Sequence, residues 1–225
     1  MNVILASNSP RRRQLLRLTD LDFRIHAADV DETPLDAEPA DKYVQRLAAS
    51  KARAVGAQVA PDSVVIAADT TVVDGNQILG KPVDNQDAAQ MLRQLRGRTH
   101  QVYTAIAVLR DSELVLECCS TDVPMRNYSD AEMQAYIESG DPLDKAGAYA
   151  IQHAGFHPVE NLQGCYANVV GLPLCHLARA LRKFEIELAA NLPSACQSTV
   201  GYECQIYQAL LQVEPRKSNA GFYSC

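Results

Sequence analysis

A run of apolar residues from Ser63 to Ala68, with the sequence SVVIAA, constrains the fold of this chain most strongly. Such a short run, uninterrupted and rich in β-branched residues, is typical of a strand that is buried on both faces of a sheet. A second run of this kind extends from Asn2 to Ala6. The two runs therefore predict strands of a central sheet.

Helical and extended patterns alternate along the rest of the chain. Between Pro39 and Val59, apolar residues recur at helical spacing, and Lys51 falls on the same side as Val44 and Leu47. Further helices are predicted at 9–18, 84–97, 129–140 and 173–188, and further strands at 20–25, 100–109 and 113–125, with a hairpin that turns at 74–76. This alternation predicts an α/β fold with a mixed central sheet flanked by helices.

The C-terminal part of the sequence differs from the rest. Periodicity is lost after about Asn191, and residues 214–225 are expected to form a loose tail. We therefore predict one domain at 1–190 and a C-terminal extension at 191–225 that is partly loose.

The charge balance limits the partners of the chain. Its 225 residues include 21 basic and 27 acidic side chains, a formal net charge of −6. Binding to nucleic acid or to a membrane surface needs a broad basic face, and no apolar run reaches the roughly 18 residues of a membrane span, so neither partner is expected. At the N-terminus the apolar run precedes the arginines, the reverse of a secretory signal, which predicts a cytoplasmic protein.

Three arginines, Arg11, Arg12 and Arg13, follow the N-terminal apolar run. Ser9 is a typical N-cap, and Pro10 is a typical first residue of a helix. The backbone amides and the positive end of the helix dipole would then face the same place as the arginines, which favours a phosphate site. The sequence alone leaves the alternative open that the arginines form a solvated helix face.

Other charged residues also follow predicted strands. Asp69 and Thr70 come at the carboxyl end of the central apolar run, and Lys81 follows the hairpin. Ligands of open α/β sheets bind outside the carboxyl ends of strands, so these residues are expected to share one cleft with Glu32 and Lys51. Two carboxylates facing cations suit a polyphosphate with a divalent metal, Mg²⁺ or Mn²⁺, held by Glu32 and Asp69. The alternatives are turn capping by Asp69, a plain polar loop at Glu32 and a rim position for Lys51.

Eight strings of the sequence resemble one family, the Maf nucleoside triphosphate pyrophosphatases. They are ASNSPRRRQLL at 6–16, Asp31-Glu32, YVQRLAASKA at 43–52, AADTTV at 67–72, GKP at 80–82, GRTHQVYTA at 97–105, PLDKAGAYAIQ at 142–152 and GCYANVVGLPL at 164–174. Their order and spacing match the family from residue 2 to about residue 185.

The resemblance implies an ITPase-like α/β fold of two lobes, with a cleft in which nucleoside triphosphates are hydrolysed to the monophosphate and pyrophosphate. Asp69 matches the proton acceptor of the family, with Glu32 beside it at a divalent metal. Lys51 and Lys81 match lysines that handle phosphate, and Ser7 with the arginines would hold phosphate. The resemblance also implies a homodimer whose partner is a small nucleotide substrate.

The string AGAYAIQ resembles the branch of the family that hydrolyses dTTP and UTP. In that branch Arg11, Thr70 and Gln152 match the positions that carry base specificity, and a primary amide can pair with the carbonyl and N3–H edge of thymine and uracil. The alternatives are a 7-methyl-GTP pyrophosphatase and a nucleotide-binding regulator of cell division or septum formation. His153 stands where the family usually has glycine, so it is expected either to crowd the base pocket or to alter the loop.

Overall fold

Strands and helices alternate in the computed structural model, which describes residues 1–212. The strands are β1 (Val3–Leu5), β2 (Phe23–Ile25), β3 (Val64–Asp74), β4 (Gln77–Leu79), β5 (Thr99–Arg110) and β6 (Glu113–Pro124). The helices are α1 (Pro10–Leu16), α2 (Ala40–Gly56), α3 (Asn85–Leu95), α4 (Asp130–Glu138), α5 (Tyr166–Val170), α6 (Leu174–Arg182), α7 (Leu192–Val200) and α8 (Tyr207–Gln212). The predicted α/β class is confirmed.

The sheet is mixed, as predicted. Its strand order is β2-β1-β3-β5-β6, with β4 paired to β3. β1 lies parallel to both β2 and β3, whereas β3 is antiparallel to β4 and β5, and β5 is antiparallel to β6. The parallel half and the antiparallel half therefore meet at β3.

β3 extends far beyond its parallel neighbour. Its pairing with β1 ends where Leu5 lies opposite Ile66, but β3 continues to Asp74 alongside β5. The prediction that Asp69 and Thr70 follow the end of a strand was therefore wrong. Both lie inside β3, because β5 pairs with them, but they lie beyond the carboxyl end of β1.

Three hydrophobic clusters hold the described residues together. Alternate residues of β3 belong to two of them: Ile66 packs in the cluster that includes α6, and Val65 packs in the cluster that includes α2. This confirms that the central strand is buried on both faces. The third cluster surrounds Val72 and Leu92 and joins the far end of β3 to α3 and α4. The first half of β3 is thus covered on both faces, by the clusters of α6 and α2, and its far end packs against the separate cluster of α3 and α4.

The C-terminal helices differ from the prediction. The helix expected at 173–188 ends at Arg182, and Glu185 has a positive φ of 60° that a continuing helix does not allow. Within residues 192–212, two helices follow Asn191, and neither was predicted. The four-residue spacing of Leu192, Cys196 and Val200, which pack on the core, is the signal that was missed. Residues 214–225 lie outside the described part, and the domain boundary stays a prediction.

In the part of the chain that the structure describes, no helix has the length and apolar character needed to cross a membrane.

Two buried histidines make the stability depend on pH. Burial lowers the pKa of His100 and of His176 to about 4 in each case. The unfolded chain, with a histidine pKa near 6.5, binds more protons between about pH 6.5 and 4, so the free energy of unfolding falls as the pH falls through this window. Each histidine contributes a slope of up to about 1.4 kcal/mol per pH unit. Urea denaturation at about pH 7, 6 and 5 measures it, and His176→Gln should make the dependence shallower; an unchanged slope in that variant would contradict the assignment.

Candidate active site

A cavity of about 650 Å³ lies where β3 passes the carboxyl end of β1. Of the residues that the sequence singled out, the cavity is lined by Ser7, Arg11, Arg12, Glu32, Lys51, Asp69, Thr70, Lys81 and Gln152. Arg13 does not belong to this lining, and its Nε is buried without a hydrogen-bond partner among the described residues. Adjacent helical positions point about 100° apart, which explains why neighbouring arginines have different surroundings.

Lys51 joins the two carboxylates of the cavity. Its Nζ lies 2.6 Å from Glu32 Oε1 and 2.6 Å from Asp69 Oδ1. Helical periodicity places Lys51 on the buried face of α2 next to β3, and its side chain is only 12 % exposed. The rim position, one of the alternatives for this lysine, is therefore excluded, because the ammonium group points into the site.

The two carboxylates have different acidities. Burial raises the pKa of Asp69, although the charges of Lys51 and Arg12 act in the opposite direction. Burial also acts to raise the pKa of Glu32, but the hydrogen bond and charge of Lys51, together with the charges of Lys81 and Arg12, lower it. Paired carboxylates whose pKa values differ are typical of acid and base roles in catalysis.

The Arg12 guanidinium is held by three protein acceptors. Nε donates to the Gly171 carbonyl at 3.0 Å, Nη1 to Ser7 Oγ at 3.3 Å and Nη2 to Thr70 Oγ1 at 3.0 Å. Gly171 has a φ of +115°, and a Cβ there would lie 3.1 Å from Thr70 Oγ1, so glycine allows this close approach. Arg12 therefore fixes the wall of the cavity.

Ser7 presents a hydrogen-bond donor to the cavity. Its Oγ accepts from the Ser9 N–H at 3.2 Å and from Arg12 Nη1 at 3.3 Å. Because a hydroxyl has two lone pairs and one hydrogen, the hydrogen remains for an acceptor such as a phosphate oxygen. The predicted N-cap is confirmed, since Ser9 Oγ accepts from the Arg12 N–H and Pro10 begins α1.

Two further charged residues line the cavity, and sequence reasoning did not assign them to the site. Asp144 Oδ2 lies 3.3 Å from Arg11 Nη1, and Asp144 Oδ1 lies 2.6 Å from Lys145 Nζ. Both residues stand in the string PLDKAGAYAIQ, but nothing in their charge pattern distinguishes them from a polar turn. Asp144 joins the cavity lining because α1 approaches it and brings Arg11 within 3.3 Å of its carboxylate.

Gln152 lies in the cavity wall after Tyr149, Ala150 and Ile151. Within residues 1–212 its side-chain amide has no hydrogen-bond partner, so it can rotate. His153 does not line the cavity.

The His153 ring packs edge-on against Tyr136 at 4.7 Å between ring centroids, and its Nδ1 accepts from the Phe156 N–H at 3.0 Å. The His153 side chain therefore packs away from the cavity and does not crowd it.

Glu32 and Asp69 are suitable ligands for a hard divalent cation. Mg²⁺ in nucleotide sites is bound by one or two carboxylates and completes its octahedral shell with water and substrate phosphates. Among the described residues no group of three His, Cys, Asp or Glu side chains can hold a metal ion. The two carboxylates fit a cation that would take its remaining ligands from water and from the phosphates of a substrate.

The fold and the cavity define an α/β protein whose cavity brings several cations together with two carboxylates. The family profile described as Maf-like protein matches residues 2–184. The chain therefore belongs to the Maf family.

Named relatives cover most of this chain. A dTTP/UTP pyrophosphatase of Pelotomaculum thermopropionicum is 46% identical over 184 residues, which cover 81% of this chain and 96% of that protein. A dTTP/UTP pyrophosphatase of Anaeromyxobacter dehalogenans is 49% identical over 195 residues, which cover 85% and 98%. A solved nucleoside-triphosphatase / dITP/XTP pyrophosphatase of Mycobacterium abscessus aligns with 95% of this chain and 100% of its own at a TM-score of 0.44 and 14% identity.

Removing Lys51 should leave the buried Asp69 carboxylate without its ion-pair partner. We expect Lys51→Met to lower the free energy of unfolding by about 3 kcal/mol, and the double variant with Asp69→Asn to regain most of this loss. Lys81→Met is the matched control, because Lys81 is exposed and its removal should change stability by less than about 0.5 kcal/mol. Urea denaturation measures all four proteins. Equal effects of the two lysine changes would contradict the importance of this buried pair.

Proposed function

We propose that this protein hydrolyses nucleoside triphosphates to the nucleoside monophosphate and pyrophosphate, with dTTP and UTP preferred. The observation that carries the proposal is the Lys51 ammonium group between Glu32 and Asp69, in a cavity that also contains Arg11 and Lys81. The names of the relatives, which match nearly their full length, support the same reaction.

The cavity has the donors that a triphosphate needs. Ser7 offers a hydroxyl hydrogen, and Arg11, Lys51 and Lys81 bring positive charge to the same lining. Hydrogen bonds from charged donors to phosphate are strong and stabilise a negatively charged leaving group. A volume of about 650 Å³ lies in the range of small-molecule sites, which supports a nucleotide as the ligand.

Asp69 is the proposed proton acceptor. Its Oδ1 is occupied by Lys51, which leaves Oδ2 for a water molecule. Because burial raises the pKa of Asp69, this carboxylate is a stronger base than an exposed aspartate. The water oxygen bonds to the α-phosphorus while its proton goes to Asp69. The bond from the α-phosphorus to the bridging oxygen breaks, and pyrophosphate leaves with the electron pair.

Glu32 and Asp69 are the proposed ligands of Mg²⁺ or Mn²⁺ that enters with the substrate. Such an ion, when bound, polarises a phosphoryl oxygen and lowers the pKa of water. A homodimer stays a prediction of the family resemblance, and a cytoplasmic location stays a prediction of the N-terminal sequence pattern.

Pyrophosphate release should separate the candidate activities. Purified protein with Mg²⁺ or Mn²⁺ should hydrolyse dTTP and UTP faster than CTP, dATP, GTP and 7-methyl-GTP. Asp69→Asn should reduce kcat by about 10²- to 10⁴-fold, since it removes the proton acceptor. Asp130→Asn, which changes an exposed carboxylate paired with Arg96, the residue after α3, is the matched control and should leave kcat unchanged.

Other outcomes of this assay would contradict particular parts of the proposal. Turnover of 7-methyl-GTP alone would contradict the base preference but keep the reaction. Tight binding of dTTP without turnover would contradict hydrolysis and favour the regulator.

A further inference from the structure

A chain of hydrogen bonds leads from the cavity into the core. Thr70 lines the cavity, and its Oγ1 lies 2.9 Å from Thr104 Oγ1 on the neighbouring strand β5. Thr104 Oγ1 in turn lies 2.9 Å from the backbone carbonyl of Asn168 in α5. Arg12 Nη2 meets the same Thr70 oxygen from the other side, at 3.0 Å. This series of hydrogen bonds therefore runs from the Arg12 guanidinium group to the Asn168 carbonyl group through the hydroxyls of Thr70 and Thr104.

The two ends of this chain fix the direction of every hydrogen bond in it. A carbonyl oxygen can only accept, so Thr104 donates its one hydrogen to Asn168. Thr104 then has no hydrogen for Thr70, and Thr70 must donate to Thr104. A guanidinium can only donate, so Thr70 accepts from Arg12. The Thr70 hydroxyl therefore has one lone pair left for a ligand and no hydrogen.

The buried end of this hydrogen-bond series, at Thr104 and Asn168, has no freedom to rearrange. Thr104 and Asn168 are both fully buried. The Asn168 side chain donates to the Val102 carbonyl and to Thr121 Oγ1, each at 2.9 Å, which holds the residue in place. Water cannot supply an alternative partner for Thr104 in such a position without opening the core.

We propose that Thr104 is a positioning residue that holds Thr70 as a pure hydrogen-bond acceptor, so that the site selects bases with an imino N–H. The inference deepens the proposed function and rests on it. Thymine and uracil carry a hydrogen on N3, whereas cytosine has a lone pair there. The free lone pair of Thr70 attracts the N3–H of thymine or uracil and repels the N3 lone pair of cytosine. Two acceptors that face each other cost more binding free energy than the loss of one hydrogen bond.

The fixed hydroxyl supplies a discrimination that Gln152 alone does not. The amide of Gln152 has no partner within the described residues, and a half-turn about its last side-chain bond exchanges its oxygen and its nitrogen. It can therefore match the O4 carbonyl of uracil or the N4 amino group of cytosine. Thr70 cannot reverse in this way while Thr104 takes its hydrogen.

Selectivity between UTP and CTP tests the proposal. In Thr104→Val the Thr70 hydrogen is released and can turn towards the cavity. The kcat/KM ratio of UTP to CTP should then fall at least about tenfold, with kcat/KM for CTP maintained or increased. Thr104→Ser, which keeps the hydroxyl, should restore the ratio to within about threefold of the original protein.

Thr121→Val is the matched control. Thr121 is also a buried threonine bonded to Asn168, on β6, but among the described residues it makes no hydrogen bond with Thr70. Its replacement should lower the melting temperature as Thr104→Val does, and leave the UTP to CTP ratio unchanged. If Thr104 had a merely structural role, both variants would lower kcat/KM for UTP and for CTP in the same proportion. That result would overturn the proposal.

A test without any substitution keeps the proposal falsifiable if Thr104→Val does not fold. The unaltered protein should hydrolyse N3-methyl-UTP, which lacks the imino hydrogen, at least about tenfold less efficiently than UTP. Equal turnover of N3-methyl-UTP and UTP, or a preference for CTP, would overturn the inference while hydrolysis itself stands. Absence of turnover with every nucleotide would overturn the proposed function, and the inference with it.

Discussion

The difference in length between β1 and β3 is the constraint on which the site depends. β1 has 3 residues and β3 has 11, so β3 leaves its parallel neighbour and continues alongside β5. No strand of the described residues fills the space beyond the end of β1, and residues of α1, of α2 and of the turn at Asp141–Asp144 line it. A cavity at this place follows from the strand lengths, and polar residues of β3 become its floor.

The alternation of side chains along β3 gives the adjacent residues Asp69 and Thr70 different partners and different chemical roles. Successive side chains of a strand point to opposite faces, so Asp69 faces α2 and meets Lys51, while Thr70 faces the other side and meets Arg12. One cation holds a carboxylate that can take a proton. The other orders the hydroxyls of Ser7 and Thr70, so that the first offers a hydrogen and the second a lone pair. Both cations are half-buried, and each depends on its partners for the stability of its charge.

Local sequence signals allowed much of the fold to be predicted. Contacts between residues that are distant in the sequence could not be predicted from such signals. The N-cap at Ser9 depends on residues within one helical turn, and it is confirmed. Thr104 and Asn168 are 64 residues apart, and Arg11 and Asp144 are 133 apart, so no spacing in the sequence indicates their contact. The positions after predicted strands indicated a cleft with Asp69 and Lys81, and the family strings added Ser7 and Gln152. Neither signal gives the direction of a hydrogen bond.

The position at which water attacks tests the central claim most directly. Hydrolysis of dTTP in water enriched in oxygen-18, followed by mass spectrometry of both products, shows which phosphorus accepts the new oxygen. A site in which Asp69 directs water to the α-phosphorus predicts the label in thymidine monophosphate and none in pyrophosphate. Label in pyrophosphate, or release of thymidine diphosphate and orthophosphate, would contradict it.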